Sequence, residues 1–199
     1  MSTLPDTRTL MGPILTHLTK TSDDTRPVVV MTCGIAGAGK STLAKAIVSQ
    51  LPNFTRLSND QLIYESHGLY KIDYPADKYF VYQDEASRQL IAKLESLLKE
   101  KERGIVLDLS FYNKEYRDEY KEIVERHGGR WVLIYLAADR DLLWERITQR
   151  MHKRNALDPD DPARDGDSSF DIDETTFDMY WDGFEPPEGE GEIVIKVQR

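Results

Sequence analysis

Cysteine is nearly absent from this chain of 199 residues, since Cys33 is the only one. A single cysteine excludes an internal disulfide and any zinc site built from several cysteines. Histidine is scarce as well, and the four that occur show no spacing typical of metal ligands: His17, His67, His127 and His152. We therefore interpret each histidine as a surface or structural residue.

Long hydrophobic runs are also missing. No apolar run approaches the roughly 20 residues that a helix needs to cross a bilayer. The first 20 residues lack the basic start and the continuous apolar stretch of a secretion signal. Apolar residues make up 40% of the chain and charged residues 31%, and this length suits one domain. We expect a single globular domain in the cytoplasm, without a membrane partner.

The chain has no excess of basic residues, because its net charge is −9. The charge is unevenly distributed: residues 156–192 contain fourteen acidic residues against one basic residue, Arg164, a net charge of −13. Two interpretations are open. The segment is a solvated loop, or it is a cover that discourages polyanions such as nucleic acid from binding nearby.

Short β-rich runs alternate with longer helical patterns, which predicts a parallel sheet flanked by helices. Residues 1–26 form an extension in which Leu10, Ile14, Leu15 and Leu18 are spaced for a short docking helix, and residues 27–199 form the domain. The predicted strands cover residues 28–33, 54–58, 105–107, 131–137 and 193–197. The predicted helices cover residues 40–51, 75–103 and 114–127, and a further helix begins after Asp139.

A glycine-rich segment separates the first strand from the first long helix. Residues 34–41, GIAGAGKS, fit the pattern G-x-x-x-x-G-K-[ST]. The glycines allow successive backbone N–H groups to converge on phosphates, and the helix adds its positive end. Lys40 is placed to reach the β- and γ-phosphates, and the Ser41 hydroxyl to bind Mg²⁺. The sequence predicts a site for a nucleoside triphosphate formed by Gly34, Ala36, Gly37, Ala38, Gly39, Lys40, Ser41 and Thr42.

Two aspartates follow the second and third predicted strands, Asp60 and Asp108. The carboxyl ends of parallel strands share one crevice with the phosphate loop. One carboxylate can serve Mg²⁺ and the other can accept the proton of an attacking hydroxyl. We assign Asp108, with Ser41, to the metal and Asp60 to the base. The reverse assignment, or a helix-cap role for either residue, is the alternative.

Three arginines recur every four residues on one helical face, Arg146, Arg150 and Arg154. Phosphoryl transfer concentrates negative charge on oxygens that arginine contacts well. We select Arg146 and Arg150 as nucleotide-binding residues, and Arg150 joins Asp60 and Lys40 as a catalytic residue. The alternative is an exposed basic face. Residues 108–116 contain neither motif of a guanine-specific switch protein.

These segments together resemble the small P-loop kinases related to zeta toxins and to the kinase domain of polynucleotide kinases. The resemblance covers nearly all of residues 28–197 and rests on residues 34–41, 58–60, 107–113 and 142–150. It implies a three-layer α/β fold with a five-stranded parallel sheet of order 2-3-1-4-5 and a lid at about residues 151–182. It also implies ATP and Mg²⁺ as cofactors, with Arg146 against the adenine and Arg150 on phosphate.

One position departs from the polynucleotide-kinase pattern. Those enzymes usually carry an arginine three residues after the catalytic aspartate, and here that position is Ile63. With the acidic segment, this argues against nucleic acid and favours a small hydroxylated acceptor with little negative charge. The alternatives are a nucleic-acid or nucleotide kinase, and an ATP-binding regulatory module with slow hydrolysis. Five aromatic residues near the expected acceptor side can either pack against the acceptor or, for several of them, simply pack under the lid: Tyr64, Tyr70, Tyr74, Phe111 and Tyr112.

Overall fold

The structure of the protein, a computed structural model, describes residues 11–158, 161 and 172–198. The helices are α1 (Leu15–Leu18), α2 (Lys40–Gln50), α3 (Asn59–His67), α4 (Tyr79–Glu100), α5 (Lys114–Arg126), α6 (Arg140–Asn155) and α7 (Glu174–Asp182). The strands are β1 (Val28–Cys33), β2 (Phe54–Leu57), β3 (Gly104–Leu107), β4 (Arg130–Ala137) and β5 (Ile193–Lys196). No helix within the described residues is long and apolar enough to cross a membrane.

The five strands form one parallel sheet in the order β2-β3-β1-β4-β5. This confirms the order that the family resemblance implied. All six residues of β1 are buried, and Val30 is in register with Val106 of β3 and with Val132 of β4. Because β1 has strands on both sides and helices on both faces, it exposes neither face. A strand buried on both faces needs apolar side chains on both of them, which explains the nearly continuous apolar sequence of β1.

Helices on the two faces of the sheet enclose two apolar clusters. On one face, α2, α6 and α7 contribute Leu43, Ile147 and Phe177. On the other face, α4 and α5 contribute Leu94 and Val124. Successive side chains of β1 alternate between the two clusters, as the pleat of a strand requires. The three-layer α/β architecture is therefore confirmed.

The N-terminal extension docks through fewer residues than predicted. Ile14 and Leu18 are buried in the first cluster. Leu15 is 37% exposed, so the prediction that it lies on the docking face was wrong. The single turn of α1 brings residues four apart onto one side and turns residue 15 away from it. Leu10 lies outside the described residues.

Most predicted elements agree with the structure to within one residue, and α4 is the exception. It begins at Tyr79 because Pro75 is extended, with ψ of 157°, and Ala76–Lys78 forms a 3₁₀ turn. It ends at Glu100 because Lys101 is left-handed, with φ of 59°.

Two helices were not predicted. Ser58 begins α3 by accepting a hydrogen bond from the Gln61 amide at 3.4 Å, so Asp60 is the second residue of a helix rather than the end of a strand. Asp173 begins α7 by accepting a bond from the Thr176 amide at 2.8 Å. Helix α7 lies within the predicted lid, and residues 159–160 and 162–171 of that segment lie outside the described residues.

A buried ion cluster connects α5 to the segment between α7 and β5. Arg117 Nη2 donates to Glu190 Oε1 at 2.6 Å, and Lys121 Nζ donates to Glu190 Oε2 at 2.6 Å. The Arg117 and Glu190 side chains are 1% and 7% exposed. The bonds from Arg117 and Lys121 hold the pKa of Glu190 below its usual value. Burying these charges is tolerable only because each has a close partner.

Removing the charge of Glu190 should therefore destabilise the fold. We expect Glu190→Gln to lower the free energy of unfolding at pH 7 by about 3 to 5 kcal/mol, the usual effect of breaking a buried ion pair. Because the folded-state pKa is lowered, this stabilisation is complete above about pH 4.5 and is lost as the pH falls through that lowered pKa. Urea denaturation between pH 3 and pH 7 measures both effects.

Glu188→Gln is the control, since it removes the same charge from an exposed neighbouring residue. If both variants lower the free energy of unfolding at pH 7 by the same amount, the buried cluster does not stabilise the fold.

Candidate functional site

The turn between β1 and α2 is packed tightly against the rest of the domain. Gly34 and Gly37 have φ angles of +143° and +85°. A Cβ atom on Gly34 would lie 2.9 Å from the carbonyl oxygen of Leu136, and one on Gly37 would lie 3.0 Å from that of Leu143. Glycine is required here both by the backbone angle and by the lack of space. The predicted phosphate-binding loop therefore has the tight turn that its sequence indicated.

The first turn of α2 faces the same loop. Gly39 precedes the helix in the left-handed conformation, and no side chain caps it. The first-turn amides thus present their partial positive charge to the loop. Lys40 Nζ donates to the carbonyl oxygen of Ile35 at 3.1 Å, across the loop. This arrangement fits a triphosphate, with the amides, the helix end and one lysine facing a common point.

The charged residues selected from the sequence gather around Lys40. Burial lowers the pKa of Lys40, the negative charges of Asp108 and Asp60 oppose this shift, and the positive charge of Arg150 adds to it. These effects require all three groups to lie near the Lys40 ammonium. The structure thus brings together the predicted catalytic residues.

Asp108 is attached to the neighbouring strand β2 by both its backbone and its side chain. Its amide donates to the carbonyl oxygen of Leu57 at 2.8 Å. Arg56 donates to Asp108 Oδ2 through Nε at 2.9 Å and through Nη2 at 2.6 Å. Arg56 was missed by sequence reasoning. The available signal was a charged residue inside a predicted strand, which is buried only with a partner.

Asp60, on α3, lies near a tyrosine from another helix. Burial raises the pKa of Tyr79 on α4, and the charges of Asp60 and of Tyr180 on α7 raise it further. The Tyr79 ring lies 5.6 Å from that of Tyr70, and the Tyr180 ring lies 6.0 Å from that of Tyr112. Tyr79 and Tyr180 were not predicted as residues of the site, because contacts between distant helices leave no pattern in the sequence.

The expected acceptor-side aromatics have different surroundings. Tyr70 contacts Tyr79 and Tyr112 contacts Tyr180, and Tyr74 is buried against Tyr70 at 6.0 Å. Tyr64 is partly buried on α3. Phe111 is fully buried and packs on Tyr120 of α5, with ring centroids 5.3 Å apart. Of the two interpretations of Phe111, the structure therefore favours packing over contact with an acceptor, and its backbone is left-handed, with φ of 46°.

The two selected arginines of α6 lie one turn apart beside the loop. Arg146 Nη2 donates to the carbonyl oxygen of Gln198 at 3.3 Å, and Nη1 approaches that of Gly37 at 3.5 Å. Its Nε atom is buried without a hydrogen-bond partner in the described residues. Native proteins rarely leave such a donor unsatisfied, so this wall of the loop suits a ligand with acceptor atoms. Burial also lowers the pKa of Arg146.

The donor set also suits Mg²⁺. The described part of the chain contains no group of three or more histidine, cysteine or acidic residues able to hold a metal. Magnesium in phosphate-binding sites typically takes one or two protein oxygens, with phosphates and water completing its shell. Ser41, beside the loop, and Asp108, near Lys40, can provide such oxygens.

Comparison with known proteins gives a match to a kinase. A 126-residue match to the probable gluconokinase of Schizosaccharomyces pombe is 31% identical and spans 61% of this chain and 63% of that relative.

Two solved structures share the fold at low identity. The APS kinase CysC of Mycobacterium tuberculosis, in complex with AMPPNP and APS, superposes with a TM-score of 0.55 at 14% identity, over 87% of this chain and 90% of that one. Kti12 of Chaetomium thermophilum, in complex with ADP-AlF3, gives a TM-score of 0.58 at 12% identity, over 84% and 88% of the two chains.

The family model described as an AAA domain matches residues 29–187. The chain therefore belongs to the AAA domain family and has the fold of the P-loop kinases.

Proposed function

We propose that this protein transfers the γ-phosphoryl group of ATP to a hydroxyl group of a small molecule. The observation that carries the proposal is the grouping of Asp60, Asp108 and Arg150 around Lys40 at the phosphate loop. Nucleotide binding alone needs the loop and the lysine. A second carboxylate beside the loop, on its own helix, suits a reaction that removes a proton from an acceptor.

In the proposed reaction, the acceptor oxygen forms a bond to the γ-phosphorus while the bond to the β-phosphate oxygen breaks and ADP leaves. Lys40 and the loop amides hold the phosphates, Asp60 takes the hydroxyl proton, and Arg150 stabilises the negative charge of the transferred group. Ser41 and Asp108 hold Mg²⁺, which when bound neutralises charge on the β- and γ-phosphates.

The environments of the two aspartates support this division of roles. Asp108 has a side chain only 2% exposed and accepts two bonds from Arg56. The ion pair commits this carboxylate to a structural contact with β2 and leaves it little exposed to the hydroxyl of an acceptor. Asp60 is more exposed and lies on the side of the tyrosines. We therefore assign the base to Asp60.

The charge near Asp60 favours a neutral or cationic acceptor. Residues 59–82 and 173–185 contain nine acidic residues against two lysines, and the nearby charge of Arg56 is balanced by Asp108. The rings of Tyr70 and Tyr180 are partly exposed on this side and can pack against the apolar face of a sugar-like ring. The match to a probable gluconokinase supports an acceptor with several hydroxyl groups. It does not support the preference for a neutral or cationic acceptor, because gluconate is an anion.

Replacing the proposed base should separate transfer from nucleotide binding. We expect Asp60→Asn to reduce phosphoryl transfer by at least about 100-fold, the usual contribution of a general base, while the Kd for ATP changes by less than about twofold, since Asp60 does not bind the phosphates. The mass gain of the acceptor measures transfer, and calorimetry measures ATP binding.

Asp23→Asn, which removes an exposed carboxylate before β1 and outside the segments near Asp60, is the matched control and should leave both quantities unchanged. Full transfer by Asp60→Asn contradicts the assignment of the base. ATP binding without transfer to any compound in a broad panel of hydroxylated metabolites and nucleotides would instead favour a regulatory module.

The charge preference can be measured with three related sugars. Methyl glucoside, glucosamine and glucuronate carry a similar ring with a neutral, positive or negative group. We expect kcat/KM for glucuronate to be at least about tenfold lower than for the other two, because one unfavourable charge contact in a partly buried site costs more than about 1.4 kcal/mol. Equal or faster phosphorylation of glucuronate, or of gluconate, contradicts the proposed acceptor class.

A further inference from the structure

Arg56 is unusual because it stands on an edge strand but has a buried side chain. Strand β2 is the outermost strand on its side of the sheet, yet the Arg56 side chain is only 13% exposed. Arg56 is in register with Val106 of β3. Asp108 follows Val106 by two residues, so both charged side chains lie on the same face of the sheet.

The contact uses only one of the two carboxylate oxygens. Arg56 Nε and Nη2 both donate to Asp108 Oδ2, at 2.9 and 2.6 Å. Oδ1 accepts no hydrogen bond from any residue that the structure describes. The guanidinium therefore holds the carboxylate in one orientation and leaves one oxygen available to another ligand.

Only arginine can make this contact in full. Its planar group presents two N–H donors in a fixed geometry, and it stays charged at any pH at which the protein is folded. Lysine preserves the charge but offers a single point of contact on a flexible stem. A contact serving only to neutralise Asp108 would tolerate lysine, whereas a contact that orients Oδ1 would not.

We propose that Arg56 is a positioning residue that holds Oδ2 of Asp108 so that Oδ1 serves the Mg²⁺ bound with ATP. The inference rests on the proposed function, because it takes Asp108 as a metal-binding residue. Residues that orient a metal ligand typically change metal affinity by about 10- to 100-fold when they are replaced. Arg56 thus acts on the metal through Asp108 rather than by contact with substrate.

The test is an ATP titration of the full chain by calorimetry, once with Mg²⁺ and once with EDTA. The ratio of the two Kd values is the magnesium effect. We expect Arg56→Lys and Asp108→Asn each to reduce this effect by about tenfold, with Kd in EDTA close to the wild-type value. Adding Arg56→Lys to Asp108→Asn should cause no further reduction, because both changes remove the same interaction.

Two further variants complete the design. Arg56→Gln keeps one donor without the charge and should reduce the magnesium effect as Arg56→Lys does, so the test survives if either variant is unstable. Arg88→Lys is the control, because Arg88 forms an exposed ion pair with Asp84 on α4 and should leave the effect unchanged. Thermal unfolding of each variant reports stability separately.

Three results would overturn the inference. A full magnesium effect in both Arg56 variants, with only the unfolding temperature lowered, would show that the pair merely stabilises the sheet edge. A larger magnesium effect would show that the guanidinium competes with the metal for Asp108. A full magnesium effect in Asp108→Asn would show that Asp108 does not serve the metal. Failure of the Asp60→Asn test is a different outcome: it would contradict the proposed transfer and leave the result of this titration unaffected.

Discussion

The contact of the phosphate-binding loop with the ends of β4 and α6 is the constraint on which the site depends. The loop approaches the carbonyl oxygens of Leu136 and Leu143 so closely that a Cβ atom at Gly34 or Gly37 would lie 2.9 or 3.0 Å from them. This approach sets the curvature of the loop. It also brings α6, and with it Arg146, against the loop wall. One close contact thus shapes the phosphate cradle and places the arginine beside it.

Buried charge organises the other half of the site. The Arg56 and Asp108 pair joins β2 to the end of β3, and the Arg117 and Glu190 pair joins α5 to the segment that leads into β5. Buried pairs of this kind contribute little net stability compared with apolar packing, but they strongly penalise arrangements that separate the charges. Their effect here is to specify where the loops after β3 and α7 lie.

The proposed acceptor side is built from two helices that begin with side-chain caps. Ser58 starts α3 and thereby places Asp60 in a first helical turn, where the helix dipole favours a negative charge. Asp173 starts α7, whose Phe177 is fully buried in the core. Because Phe177 anchors α7 from within, Tyr180 one turn later comes close to Tyr79. Packing beneath α7 therefore determines which tyrosine of α7 lies on the proposed acceptor side.

The sequence by itself determined the phosphate loop, the strand that precedes it and the alternation of strands and helices. These features are local: a glycine pattern and an apolar period depend on residues that are neighbours in the chain. It selected Asp60 and Asp108 as candidate site residues, although it placed Asp60 at a strand end. Only the tertiary structure decided that Arg56 meets Asp108 and that Phe111 turns into the core. It alone also brought Tyr79 of α4 near Asp60 and Tyr180 of α7 near Tyr79. Such contacts join segments far apart in the chain, and their energy depends on burial that no local pattern records.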